Sequence, residues 1–334
     1  METPSLSIFD PASPQAEAIR SLSVLVLAIC AFIFFVVEGI LLYAIVRFRR
    51  RATRPLTPGP SPSEGRGETE PPQVYGSKPI EIAWTAAPAL IVFVLVLVSA
   101  RTLWEVDVDP PAPEVGDNAL FVTVVGRQWW WEYRYTHYNG RERQFITANE
   151  LHVPAGSKVY LALQSADVCH SFWVPRLAGK MDLIPGRTNH LLFQCAQPGL
   201  YLGQCAEYCG TQHAGMLLRV YVDPPETFAE WVDREEKPAV EVKSLGDEKK
   251  VFLAQSCVNC HRVRGTAAQG TYAPDLTHLM SRETLASGMF KNTDENLRQW
   301  VKDPQKLKPG CLMPAFGLST LEQDQVVRYL QALR

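Results

Sequence analysis

Residues 203–216 read GQCAEYCGTQHAGM, with Cys205, Cys209, His213 and Met216 spaced four, four and three apart. Two thiols, an imidazole and a thioether on so short a run make a set of soft metal donors. Two thiolates can bridge two metal ions, which leaves one imidazole for each metal and weak donors to complete both. The second imidazole must come from elsewhere, and the run ADVCHSFWVP (166–175) offers His170. A Cys2His2 zinc site is the alternative built from the same residues. Met216 weighs against it, because thioether sulfur suits copper. A mononuclear blue-copper site takes one Cys, two His and a weak Met, so the second thiol has no place in it.

Outward from this stretch, residues 119–222 carry short β-branched or aromatic runs separated by Gly, Pro and Asn: ALFVTVVG, WWWEYRY, LHVPAGSKVYLALQS, HLLFQC and MLLRVYV. Such runs predict the strands of a sandwich or Greek-key barrel. In QWWWEYRY (128–135), alternation puts Trp129, Trp131, Tyr133 and Tyr135 on one side and Trp130 on the other. The following DPPETFAEWVDREEKPAVEVKSLGDE (223–248) opens on Pro-Pro and is acidic. It predicts a linker containing a helical turn or more.

A second cofactor signature follows. CVNCH (257–261) is the attachment pattern of a c-type haem. Its two thiols bond the vinyl groups, and His261 is the proximal iron ligand. A zinc site would need further Cys or His at matching spacing, and His278 alone is at hand. KKVFLAQSC, TDENLRQWVKD and LEQDQVVRYLQALR carry helical spacing, and Ser319 and Thr320 offer N-caps. The domain around CVNCH is therefore predicted to be small and all-α. Candidates for the sixth ligand are Met280, Met289, Met313 and His278. Met313 lies in KPGCLMPAFG, a loop from which a side chain can reach back to the haem. Met280 and Met289 stand in more helical surroundings and read as core. Met/His ligation raises the reduction potential and leaves no open position, so a haem so held carries electrons.

Two apolar segments precede these domains. Residues 22–46 contain one charge, Glu38, and residues 82–100 contain none. Each is long enough for a hydrocarbon core, which takes about 20 apolar residues. The first is too long for a signal peptide, and no small-residue cleavage site follows it. RFRRRATR (47–54) is rich in arginine, whereas the second segment is followed by the acidic EVDVDPPAPEVGD. Positive charge stays inside, so 47–79 reads as a cytoplasmic loop and everything from about 105 onward as extracytoplasmic. TPGPSPSEGRGETEPP (57–72) reads as a flexible connector, and DPPAPEVGD (109–117) as a boundary. Glu38, at membrane depth, must face protein, a cavity or another helix. A net charge of −2 gives no footprint for nucleic acid.

QCAEYCGTQHAGM, DVCHSFWVP and GRQWWWEYRY together resemble subunit II of the haem–copper cytochrome c oxidases. With two apolar spans and CVNCH, the chain is similar to the cytochrome c-fused, caa3-type form. The resemblance implies a multidomain membrane protein. A two-helix transmembrane hairpin (1–108, spans about 22–46 and 81–104) precedes an all-β, cupredoxin-like Greek-key domain (117–223). A linker (224–245) leads to a small all-α class I cytochrome c domain (246–334). It implies a binuclear copper CuA centre with Cys205 and Cys209 bridging and His170 and His213 one on each copper. Met216 and the backbone carbonyl of Glu207 are the weak ligands. The Glu207 carboxylate would also reach a redox-inert Mg²⁺ at the junction with subunit I.

Covalent haem c falls on Cys257, Cys260 and His261, with Met313 as the sixth ligand. Trp129 matches the residue through which electrons reach CuA. Glu81, in KPIEIAWTAAP, matches a carboxylate at the mouth of a proton path in subunit I; the plainer reading of Glu81 is a solvated acid at a helix start. The function implied is electron transfer within a proton-pumping terminal oxidase of the bacterial cell membrane, with both redox domains on the periplasmic side. The partners implied are oxidase subunits I and III, a cytochrome c or bc1-type reductase as donor, and the lipid bilayer. Cys169 departs from the pattern, where an aliphatic residue is expected; its thiol could compete for copper or, as free Cys usually does, pack as a small hydrophobe. A copper-delivery protein could share CxxxC and a distant His, but has no need of Glu207, Met216 or the aromatic strand. A free-standing membrane-anchored carrier would differ by running alone, without an oxygen-consuming complex.

Overall fold

The computed structural model describes residues 5–49, 75–106, 109–114 and 118–334. The connector 57–72, most of the arginine-rich run and part of the 109–117 boundary lie outside the described residues. The chain forms two compact units, Ser21–Leu103 and Met1–Arg20 with Trp104–Arg334.

Helices α1 (Pro14–Phe48) and α2 (Lys78–Val106) supply the first unit. Both have an apolar window with none of it buried. A helix apolar all round satisfies its backbone internally and suits a hydrocarbon solvent. α1 starts well before the apolar run at 22. Pro14 fits a first helical turn, where its missing N–H is no loss, and the Ser13 hydroxyl accepts from Ala16 N at 3.0 Å.

In the second unit the strands are β1 (Ala119–Arg127), β2 (Trp130–Tyr138), β3 (Arg141–Ala148), β4 (Glu150–Pro154), β5 (Lys158–Ser165), β6 (His170–Trp173), β7 (Met181–Leu183), β8 (Asn189–Gln194), β9 (Gly199–Cys205) and β10 (Leu217–Asp223). They build two five-stranded sheets, ordered β3-β2-β1-β5-β8 and β4-β10-β9-β6-β7. β1 runs parallel to β5 and β10 parallel to β4, while the other pairings are antiparallel. This is a cupredoxin-like sandwich. Its core follows the two-residue period. Trp131, Tyr133 and Tyr135 of β2 are fully buried, and Leu218, Val220 and Val222 of β10 join the same cluster. Glu132 points the other way and is still buried, held by Arg127 at 3.0 Å and Arg134 at 2.5 Å.

The segment 224–245, read as a linker, is structured in its first half. Helix α3 (Pro225–Glu235) lays Phe228, Trp231 and Val232 into the sandwich core. Trp231 meets His152 at 4.5 Å, Tyr135 at 5.2 Å and Phe145 at 5.6 Å between ring centroids. Of the segment's acids, Glu226, Glu230, Asp233 and Glu236 lie exposed, while Glu235 is buried with the apolar face. Trp231→Ala should therefore cost about 3–5 kcal/mol, the usual toll for truncating a buried aromatic. Thermal unfolding of the β-domain in the detergent-solubilised chain measures it, and an unchanged midpoint would mean α3 is only loosely docked.

The remaining helices are α4 (Gly246–Ala254), α5 (Cys257–Cys260), α6 (Asp294–Lys302), α7 (Pro304–Leu307) and α8 (Thr320–Gln331). Phe252, Val263, Leu297, Val301, Val326 and Val327 form their core. Ser319 and Glu322 close a reciprocal capping box at the start of α8. A two-stranded hairpin, Thr284–Leu285 with Phe290–Lys291, projects from this domain.

Candidate metal centre and haem cavity

Cys205 ends β9, His170 begins β6, and these strands are neighbours. The loop between β9 and β10 folds back so that Cys205 N donates to Met216 O at 3.0 Å, and Ala206 N donates to Ser171 O at 3.0 Å. A single 3-10 turn, His213–Gly215, brings His213 round. The donor atoms then form an unbroken series. His170 Nδ1 lies 3.9 Å from Cys205 Sγ, which lies 3.8 Å from Cys209 Sγ, which lies 3.6 Å from His213 Nδ1. Met216 Sδ sits 3.9 Å from Cys209 Sγ, and the Glu207 carbonyl 3.3 Å from Cys205 Sγ. The residues read from the sequence as one donor set are thus brought together, and His170, Cys205, Cys209 and Met216 are buried.

Neighbouring residues tighten this geometry. The Cβ of any other residue at Gly126 would lie 2.8 Å from the His170 ring, so glycine lets that imidazole seat against β1. Gly210, at φ +116°, leaves space that a Cβ would take from the Trp129 indole. Trp129 Nε1 and Gln128 Nε2 both donate to Cys209 O, at 3.0 and 2.8 Å. Asp167, not singled out from the sequence, accepts from Gln128 N and Val168 N, both at 2.7 Å, and its carboxylate pairs with His170 Nε2 at 2.8 Å. That contact fixes which nitrogen turns away from the sulfurs. The spacing D-x-x-H was legible, but nothing local announced its role.

Charge follows the geometry. The hydrogen bond from Cys209 pushes the Cys205 thiol down to about 3, against the effect of burial. The Cys209 thiol is held well up by the same bond. Burial, the largest single influence, favours the neutral forms of Asp167 and His170, but their mutual bond together with the Gln128 and Val168 N–H bonds to the carboxylate and the Cys205 contact to the imidazole outweighs it: the carboxyl is lowered and the imidazole raised. Two buried, adjoining sulfurs flanked by oriented imidazoles and a thioether fit two soft metal ions, and the thioether suits copper better than zinc.

In the helical domain, His261 Nδ1 lies 2.7 Å from Pro274 O, which leaves Nε2 as the unengaged ring nitrogen. Burial lowers its pKa, so the ring is neutral and able to ligate. A largely apolar cavity, partly open to solvent, is lined by Cys257, Cys260, His261, Trp300 and Met313. These walls fit a porphyrin, with both attachment thiols and two axial donors on them. Of the other sixth-ligand candidates, Met280 packs in the core, Met289 lies against Gly215, and His278 Nε2 meets Lys237 O at 3.1 Å. Among described residues, Met313 is the methionine on the cavity wall. Gln128, Trp129 and Trp130 of the β-domain line the same cavity.

Glu81 lies in the first turn of α2, its carboxylate over Gly76. Cys169 is exposed, so the expectation that it packs as a small hydrophobe is not met, and it stands outside the donor series. Cys311 and Cys195 carry free thiols, and His152 is engaged with Asp223 at 2.7 Å.

Three family descriptions match the chain: cytochrome c oxidase subunit II, transmembrane domain, over residues 2–62; cytochrome c oxidase subunit II, periplasmic domain, over 139–222; and cytochrome c over 248–334. The chain is 35% identical to cytochrome c oxidase subunit 2 of Alkalihalophilus pseudofirmus, over 99% of its own length and 91% of that protein. It is 34% identical to cytochrome c oxidase subunit 2 of Bacillus sp. (strain PS3), over 99% and 92%. It is also similar to the crystal structure of the periplasmic domain of subunit II of cytochrome oxidase of Bradyrhizobium japonicum. That likeness has 31% identity and a TM-score of 0.33, and covers 37% of this chain and 96% of the other. With a membrane anchor, an extracytoplasmic β-domain and a haem-binding domain in one polypeptide, the chain belongs to the cytochrome c oxidase subunit II family, in the form fused to a cytochrome c domain.

Proposed function

We propose that the chain is the electron-transfer subunit of a proton-pumping terminal oxidase of the bacterial cell membrane. It takes electrons at covalent haem c and delivers them by way of a binuclear CuA centre towards haem in subunit I, where oxygen is reduced to water. When bound, the haem and the copper pair supply one-electron redox chemistry. The protein residues do the rest. Cys205, Cys209, His170, His213, Met216 and the Glu207 carbonyl hold copper, and Cys257, Cys260, His261 and Met313 hold haem. Trp129 bridges the two sites, being both a wall of the haem cavity and a donor to Cys209 O. The unbroken donor series from His170 to His213 is the observation that carries this reading. Metal analysis and optical spectra of the purified complex test it. Copper beyond the share of subunit I, with one haem c in this chain, is expected; one zinc in place of two coppers overturns it.

Asp167 should matter to metal retention although it touches no metal. Partners that orient a ligating imidazole are worth about 10–100-fold in affinity, so Asp167→Asn should lose copper to a competing chelator by that factor. Retention equal to the parent would remove Asp167 from the site.

Subunits I and III, a cytochrome c or bc1-type reductase and the bilayer are the partners. The Glu207 carboxylate is assigned to Mg²⁺ at the junction with subunit I. Glu81 is assigned to the entrance of a proton path there. Glu81→Ala should slow proton-coupled turnover severalfold while CuA reduction stays at its parent rate. Normal turnover would leave Glu81 a helix-start acid.

A further inference from the structure

The haem-bearing domain and the β-sandwich exchange buried charges. Lys308, directly after α7, is 3% exposed, and its ammonium donates to Trp129 O at 3.0 Å, Gly215 O at 2.9 Å and Ala286 O at 3.1 Å. All three of its donors are used, and every acceptor is a neutral carbonyl. Burial pushes the lysine pKa down to about 8, with Cys311 and Cys209 partly offsetting it. In the opposite direction, Glu150 of β4, also 3% exposed, accepts from Glu283 N at 3.0 Å, Thr284 N at 2.8 Å and the Thr284 hydroxyl at 2.5 Å. Each domain therefore places one charge in the backbone of the other. A buried charge is costly unless its hydrogen bonds are complete. A methionine at 308 and a glutamine at 150 would fill similar space without that cost, so simple packing does not call for either ion.

The places gripped are the informative part. Trp129 walls the haem cavity and binds Cys209 O. Gly215 precedes Met216 in the donor loop. Ala286 and Ser287 sit at φ 54° and 63°, a region non-glycine residues seldom adopt. The hairpin turn in this conformation offers Ala286 O to Lys308 and Ser287 O to Leu217 N at 3.2 Å. Gln212 Nε2 adds a bond to Pro309 O at 2.6 Å.

We propose that Lys308 is a positioning residue for internal electron delivery: it clamps Trp129 and the metal-binding loop to the haem domain, with Glu150 as the second anchor. The inference rests on the electron-transfer reading above. Three carbonyls arranged around one point suit an ammonium; a planar guanidinium does not reproduce that arrangement.

The test uses the full chain within the assembled oxidase. Lys308→Met should slow haem-to-copper electron transfer after flash reduction by about tenfold or more, because small misplacements cost such factors. The copper EPR signal and the haem potential should stay at parent values. Deuterium exchange should rise in both 211–217 and 284–291. Lys308→Arg should restore the rate only in part. Should Lys308→Met fail to assemble, Glu150→Gln gives the same two readouts. Unchanged rate and exchange, with both cofactors present, overturn the clamp and leave the function intact. Absence of the copper signal or of haem c from the parent chain would instead sink the functional reading.

Discussion

Cys209→Ser is expected to abolish the mixed-valence copper EPR signal and leave the haem c spectrum untouched. Cys209 Sγ stands at the centre of the donor series, 3.8 Å from Cys205, 3.6 Å from His213 and 3.9 Å from Met216. A serine hydroxyl at neutral pH is neither anionic nor soft, so the pair loses the sulfur able to bridge. Oxidase turnover should fall by more than the about 100-fold that removal of an outer partner can cost. The haem domain has its own core and keeps its attachment cysteines, so its optical bands serve as the internal control. A persistent mixed-valence signal in Cys209→Ser would show that the metal pair is held in some other way.

The second large effect is on potential. Met313→His should keep the haem attached, because Cys257 and Cys260 are untouched, while lowering its midpoint on the order of a few tenths of a volt. Methionine as the sixth ligand raises the potential, and axial choice spans about 0.8 V across haem proteins. The loop that carries Met313 is well fixed. The Gln305 amide donates to Cys311 O at 2.6 Å and Met313 O at 2.7 Å and accepts from Gly310 N at 3.0 Å. A replacement at 313 should therefore present its side chain to the same wall. Spectroelectrochemical titration measures the shift. A midpoint equal to the parent's would assign the sixth position to another group.

What could be read from the sequence divides along the range of the interactions. The donor set was legible because five of its six members lie on one short stretch, and CVNCH carries its whole chemistry in five residues. Strands β1, β2, β5 and β10 announce themselves through runs such as ALFVTVV and LLRVYV. β6 and β9 do not, although they carry His170 and Cys205. β6 is four residues long, and β9 reads GLYLGQC, with glycines where β-formers are expected. Their pairing with each other makes them strands. In α3 the composition showed a helical turn but not its docking: most of the acids that suggested a linker face solvent, and Phe228, Trp231 and Val232 carry the burial. Lys308 and Glu150 gave no signal at all. KLKPG looks like an ordinary surface stretch, and Glu150, at the head of the strand run LHVP, like an exposed acid at a strand start; the two residues become buried only when domains far apart in sequence meet.

One consequence of that meeting concerns the wiring of the enzyme. Trp129 is 8% exposed, its carbonyl is held by Lys308, and it lines the haem cavity. No outside carrier can lie against it while the tethered domain is in place. On the proposed electron path, the two redox centres would then act in series, with electrons entering from outside at the haem.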